Sequence, residues 1–125
     1  MASFDQDVLS AVGTEREVEL TTWGRKSGNP SRVILWIFGE DDRVFIRSGG
    51  GLDRDWPQNF MARGEAILHL KGLDVPVIGE HVTDRDLARR VSSMAKHKYQ
   101  SNVQQSEGDE PLTLGESATF ELFPK

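Results

Sequence analysis

The sequence predicts a mainly β, α+β chain in which six antiparallel strands close into a barrel flanked by short helices. Three observations carry that prediction. Short stretches alternate apolar and polar residues with a period of two, as where Val18, Leu20 and Thr22 alternate with Glu17, Glu19 and Thr21. Turns rich in Gly, Pro, Asn and Asp separate these stretches. The helical stretches are too few, and too unevenly placed, for a doubly wound sheet, and six strands joined by hairpins close more naturally into a barrel than into an open sheet.

Taken in order, Asp5 to Val12 reads as a short helix with Val8, Leu9 and Val12 on one side. A first strand covers Arg16 to Thr22, and Trp23-Gly24 ends it. The turn Arg25-Lys26-Ser27-Gly28-Asn29-Pro30 leads into a mostly apolar second strand, Arg32 to Phe38. Gly39-Glu40-Asp41-Asp42 is the next turn, and Arg43 to Arg47 completes a three-stranded meander. After Ser48-Gly49-Gly50-Gly51, a short helix runs from Asp55, read as its N-cap, to a stop at Gly64. Glu65 to Lys71 and Leu73 to Val82 are two strands joined at Gly72. Thr83, read as a cap, opens a helix to about Tyr99 with Leu87, Val91, Met94 and Ala95 on one face. Ala118 to Phe123 is the last strand. The 125 residues fit one domain, 1–125, with 1–14 an N-terminal helix or arm and 101–116 a loose loop.

Composition removes several function classes. The chain has no cysteine, which excludes disulfide scaffolds, thiolate metal sites and cysteine nucleophiles and suits a reducing cytoplasm. A net charge of −5 argues against a general nucleic-acid binder. No run approaches the roughly 20 apolar residues of a membrane span, and the start of the chain lacks the pattern of a signal peptide. His69, His81 and His97 share no metal-ligand spacing. Neither a dinucleotide fingerprint nor a P-loop is present.

Three places carry residue types suited to ligand chemistry. In the Arg25-Lys26-Ser27-Gly28 turn, with Arg32 just after it, two cations, a hydroxyl and a glycine that lets N–H groups face an anion are what a phosphate requires. A solvated hairpin turn is the competing reading. In Arg47-Ser48-Gly49-Gly50-Gly51, glycines at a strand end give a flat ring or a phosphate access to the main chain, against a flexible connection. Trp36, Trp56, Asn59 and Tyr99 are candidates for a planar pocket. Aromatics are more often core or interface, and Trp56, which begins a helix directly after a glycine loop, is the exception.

Leu20-Thr21-Thr22-Trp23-Gly24-Arg25-Lys26-Ser27-Gly28-Asn29-Pro30, the Ser48-Gly49-Gly50 strand exit and Asp55-Trp56-Pro57-Gln58-Asn59-Phe60-Met61-Ala62-Arg63 together resemble the deazaflavin (F-420)-dependent nitroreductase family. That family belongs to the pyridoxamine-phosphate-oxidase-like, flavin-binding superfamily, and the chain looks like a small uncharacterised relative within it. The resemblance runs from about Glu15 to Lys71. It implies a six-stranded antiparallel split β-barrel, a homodimer with cofactor sites near the subunit interface, and F-420 or, alternatively, FMN as cofactor. By the same resemblance Arg25, Lys26, Ser27 and Gly28 hold phosphate, Ser48, Gly49 and Gly50 face the ring system, and Trp56 and Asn59 flank the pocket. The implied chemistry is hydride transfer from reduced cofactor to a quinone, nitro compound or enone.

One position departs from the family pattern. A basic residue commonly follows the motif proline, and here Ser31 stands there. Arg32 comes one residue later, on the opposite face of a strand unless a bulge turns it back, with Arg47 a possible substitute. F-420, FMN and no cofactor therefore stay open. So do a non-catalytic carrier or sensor with the same barrel and a purely structural dimer.

Overall fold

The alternating stretch at the start folds as β1 (Val18–Trp23), and the Gly24–Asn29 turn returns the chain along it as β2 (Pro30–Leu35). The computed structural model describes residues 3–100 and 102–125. The first two residues of the expected N-terminal arm, and Ser101 at the head of the expected loose loop, lie outside them. The remaining elements are α1 (Gln6–Thr14), β3 (Ile37–Glu40), β4 (Arg43–Arg47), α2 (Asp55–Arg63), β5 (Glu65–Leu70), β6 (Leu73–His81), α3 (Arg85–Tyr99), α4 (Leu114–Ser117) and β7 (Thr119–Pro124). Among the described residues no helix is long and apolar enough to cross a membrane.

All strand pairs are antiparallel, in the order β2-β1-β5-β6-β7-β4-β3. The two edge strands of that order are consecutive in the chain, separated only by Trp36. The sheet therefore curls until its edges meet at that residue, which is the split barrel. The described residues form seven strands where six were expected, because the single strand Arg32 to Phe38 is two. Its first half pairs with β1 from Val18↔Leu35 to Trp23↔Pro30, and its second half pairs with β4 from Ile37↔Ile46 to Glu40↔Arg43. One straight strand cannot serve both neighbours, so the chain bends at the corner.

The core has two compartments. Val18, Leu20, Leu68, Val77, Ile46 and Leu122 fill the barrel, with Phe60 of α2 and Val8 and Val12 of α1 closing it. On the outer face of β3 and β4, Phe38 and Phe45 pack under Val91, Ala95 and Tyr99 of α3. β3 is thus covered on both faces, which is why its sequence shows no alternation. Gly79 of β6 lies against Phe60: a Cβ there would stand 2.3 Å from the buried ring. Gly79→Ala is expected to cost about 3 kcal/mol through overpacking, read as a lower urea midpoint at unchanged slope.

Caps shift by one residue from expectation. Arg54, not Asp55, is the N-cap of α2, and Asp55 opens the helix as its first residue. Asp84, not Thr83, caps α3 by accepting from the Leu87 N–H at 3.1 Å. Gly64 ends α2 in the left-handed region as expected. Lys71 and Gly72, at φ 48° and 76°, make the two-residue β5–β6 turn. The stretch expected to be loose is tied down: it carries α4, and the Glu116 side chain is fully buried.

Candidate functional site

The Gly24–Asn29 turn is ordered from within and from α2. Gly24 N–H donates to Asn29 O at 2.8 Å, Gly28 N–H to Gly24 O at 2.9 Å, and Asn29 N–H to Ser27 Oγ at 3.1 Å. Gly28 sits at φ 73°, which a side chain rarely adopts. From α2, buried Asn59 accepts two hydrogen bonds on Oδ1, from Arg25 N–H at 3.0 Å and from Arg25 Nη1 at 2.8 Å. Asp55 lies 3.7 Å from Arg25 Nη2, and Arg63 Nη2 donates to Gly24 O at 3.5 Å. Exposed Lys26 and the Ser27 hydroxyl complete the turn. Asn59, one helical turn beyond Trp56, therefore aims Arg25. Arg63, a third cation at this turn, was missed by the sequence reading because its partner is the backbone of a turn 39 residues away.

A second feature is a cavity of about 550 Å³ at the corner where the sheet closes. Ser48 and Gly49 of the strand exit, Trp56 of α2 and Trp36 of the corner line it, with Arg47, Leu114 and the chain around residues 102–104. Trp36 lies flat on Tyr99, ring centroids 4.0 Å apart and planes within 6°. Tyr99 faces inward: its hydroxyl donates to Arg16 O at 2.6 Å and accepts from Ile37 N–H at 3.1 Å. Of the planar-pocket candidates, Trp36 and Trp56 line the cavity, Tyr99 backs Trp36, and Asn59 belongs to the turn.

The three consecutive glycines differ. Gly51 takes φ 90° against Leu114, whereas the atoms nearest a Cβ at Gly50 belong to the end of the exposed Arg54 side chain, which can move aside. At Gly49 neither applies: no atom stands within 4 Å of a Cβ position, and the space belongs to the cavity. No contact within the chain requires glycine there.

The two remaining arginines leave the turn. The β1–β2 register is continuous, without a bulge, so Arg32 stays on the outer face opposite Thr21 and donates from Nε to Glu19 at 3.0 Å. Arg47 turns toward α3, with Nη1 on Ser92 Oγ at 2.9 Å and Nη2 on Ala88 O at 3.0 Å. Burial depresses its pKa to about 10, against the pull of Glu116. No hydrogen bond or ion pair joins either arginine to the turn among the described residues.

Glu116 is the anchor behind the cavity. Its carboxylate accepts from Ser92 Oγ at 2.9 Å, Ser106 Oγ at 2.6 Å, Thr113 N–H at 3.0 Å and, at 3.2 Å, Ser106 N–H. Burial raises a carboxyl pKa, but hydrogen bonds from Ser106, Thr113 and Ser92 outweigh it and bring Glu116 down to about 2. The Thr-x-x-Glu spacing of a capping box, Thr113 to Glu116, was the available signal for this helix start. The histidines stand apart from the cavity: His69 bridges Thr21 Oγ1 and Asp74 Oδ1, and His81 Nε2 meets Ser117 O.

Fold and geometry define a split-barrel protein, a fold that F-420-dependent reductases and a pyridoxamine-phosphate-oxidase-like protein share. Within that class the chain belongs to the family described as an uncharacterized protein conserved in bacteria (DUF2255), whose model matches residues 8–121. A sequence comparison with curated proteins finds no match. Among solved structures, an F-420-H2-dependent reductase is similar at TM-score 0.66 with 18% identity, covering 87% of this chain and 95% of that one. HutZ, a heme storage protein from Vibrio cholerae, is similar at TM-score 0.68 with 12% identity, covering 99% and 92%. A Listeria innocua protein classed with the pyridoxamine 5′-phosphate oxidases is similar at TM-score 0.67 with 9% identity, covering 95% and 91%. These likenesses show the fold.

Proposed function

We propose that the chain binds a phosphorylated tricyclic redox cofactor, F-420 or FMN, and uses it to reduce small electron-poor acceptors such as quinones, nitro compounds or enones. The observation that carries this reading is the path along α2. Asn59 orders the cationic turn, and Trp56, three residues earlier and so about 4.5 Å along the axis, lines the cavity. Arg25, Lys26 and Ser27 would hold the phosphate through their side chains, with Arg63 beside them; the Gly28 N–H is spent on Gly24 O, so Gly28 serves the turn through its φ of 73°. Ser48 and Gly49 would face the ring system, whereas Gly50 lies under the Arg54 guanidinium outside the cavity lining, and the open space over Gly49 suits a flat group on the main chain. A bound cofactor of this type would supply the hydride, and the chain would position it. Arg32, paired with Glu19 on the outer face, is left out of this clamp, and Arg47, held by Ser92 and Ala88, belongs to the cavity wall and not to the turn.

The supporting fold likeness includes F-420 reductases, and one neighbour of the same fold is a domain-swapped dimer. We take this chain too as a homodimer in the cytoplasm, to be checked by light scattering. Equilibrium titration with F-420, FMN and FAD tests the cofactor. At least one is expected to bind below about 100 μM, corresponding to about 5–6 kcal/mol; no binding in that range overturns the reading. A carrier or sensor role is the second reading, favoured by the few titratable groups lining the cavity, Glu17 and Arg47. Tight binding without turnover of menadione by the reduced cofactor would select it.

A further inference from the structure

The outer face of the sheet carries a polar cluster with no part in the cofactor reading. Thr21 of β1, His69 of β5 and Asp74 of β6 lie on it across three adjacent strands. The pairs Thr21↔Ile67 and Glu19↔His69 make Thr21 the diagonal neighbour of His69, and His69↔Asp74 is a direct pair. His69 Nδ1 stands 2.7 Å from Asp74 Oδ1, and His69 Nε2 stands 2.7 Å from Thr21 Oγ1. A carboxylate only accepts, so Nδ1–H donates to Asp74 and, in the neutral ring, Nε2 accepts from the Thr21 hydroxyl. A hydroxyl that donates to an imidazole whose other nitrogen is held by a carboxylate is a hydroxyl with its base in place.

Two neighbours extend the cluster. Arg32 stands directly opposite Thr21 in the β1–β2 register and donates from Nε to Glu19, while its Nη groups have no hydrogen-bond partner among the described residues. They are free to meet negative charge on a reacting oxygen. A groove of about 330 Å³ adjoins the imidazole, lined by His69, Asp74, Glu19 and Arg32 with exposed Ile34 and Leu73. It meets the corner cavity at Glu17 and Ile34.

We propose that Thr21, His69 and Asp74 form a second, hydrolytic site for small uncharged carboxylic esters, with Thr21 as nucleophile, His69 as its base and Asp74 as the group that fixes the base. Glu19 and Asp74 disfavour an anionic substrate, and Ile34 and Leu73 offer an apolar seat. An ester needs less assistance than an amide, which suits a site with one cation in place of a closed oxyanion hole. Thr21 Oγ bonds to the ester carbonyl carbon as its proton passes to His69 Nε2. The bond to the alcohol oxygen then breaks, and that oxygen takes the proton away. A water next gives a proton to Nε2 and attacks the acyl carbon. Thr21 Oγ leaves with that proton, and the carboxylic acid is released.

The test uses the whole chain without cofactor and 4-nitrophenyl acetate as probe. The wild type is expected to release 4-nitrophenolate faster than free imidazole at the same concentration. Acid quenching should trap an acetyl ester on Thr21, found by peptide mass and removed by hydroxylamine, which leaves acetyl amides on lysines in place. Thr21→Val, which keeps the branched shape a strand favours, and His69→Gln should each lower the rate at least about 100-fold. Thr21→Ser keeps the nucleophile and should stay within about tenfold of wild type. Asp74 is 77% exposed, so Asp74→Asn leaves the fold intact, and loss of the tautomer-fixing acceptor should lower the rate by about tenfold or more. A wild-type rate no higher than that of imidazole, acetyl groups on lysines alone, or equal rates in wild type and Thr21→Val overturns the proposal and leaves the cluster as a polar clasp between strands.

Discussion

Glu116→Ala is expected to lower the unfolding free energy by about 4 kcal/mol at pH 7. The residue is fully buried, and its removal leaves the Ser92 and Ser106 hydroxyls and the Ser106 and Thr113 N–H groups without their acceptor. Arg47 loses the favourable charge of Glu116 at the same time. The pH dependence separates charge from shape. A carboxyl held at about 2 in the folded chain, against a usual 4.5, favours folding by about 3 kcal/mol near neutrality. Because the folded value is the lower one, this contribution is complete above 4.5 and disappears as the pH falls toward 2. Glu116→Gln keeps the volume and lacks the charge. The gap in urea-determined stability between wild type and Glu116→Gln should therefore be near 3 kcal/mol at pH 7 and below about 1 kcal/mol at pH 2. A gap independent of pH would mean that the carboxylate's charge contributes nothing.

The site behind that carboxylate was the least legible part of the chain. Residues 101–116 are polar and lack periodicity, so they read as loose, yet Ser106 and Glu116 are buried. Their burial depends on α3, which supplies Ser92, and no local pattern announces a partner 24 residues away. The seven-strand count was hidden for a different reason. Val33 to Phe38 is continuously apolar for two reasons: Ile37 and Phe38 are covered by the barrel core on one face and α3 on the other, while Ile34 and Trp36 are apolar though exposed, and together they remove the period that would mark a bend at Trp36. Where one face of a strand meets solvent, as in β1 and β5, alternation gave the element and its inward face together. The same parity placed Arg32 outside, and the unbroken register keeps it there. At the turn, residue types were readable but roles were not. Asn59 was expected to flank a pocket, whereas its oxygen holds the Arg25 backbone and guanidinium.

That hydrogen-bond pair sets up a contrast between two variants. Arg25→Ala with Lys26→Ala removes two cations from an exposed turn, where surface charges contribute little to stability. Folding should change by less than about 1 kcal/mol while the affinity for FMN or F-420 falls about 30-fold, through two lost charge-assisted contacts to phosphate. Asn59→Asp does the opposite to the same turn. The acceptor for Arg25 N–H and Nη1 is retained and gains a full negative charge, which holds the arginine more firmly. A phosphate on the turn would then meet an added anion beside Arg25, which repels it. Phosphate affinity should fall by about 10- to 30-fold with stability preserved. Riboflavin, which has the ring system and no phosphate, supplies the decisive comparison: its affinity should be the same in wild type and both variants. Equal losses for riboflavin and FMN would place the turn's effect on the ring and not on the phosphate. Unchanged FMN affinity in both variants would leave Arg25, Lys26 and Asn59 as the ordinary furniture of a hairpin.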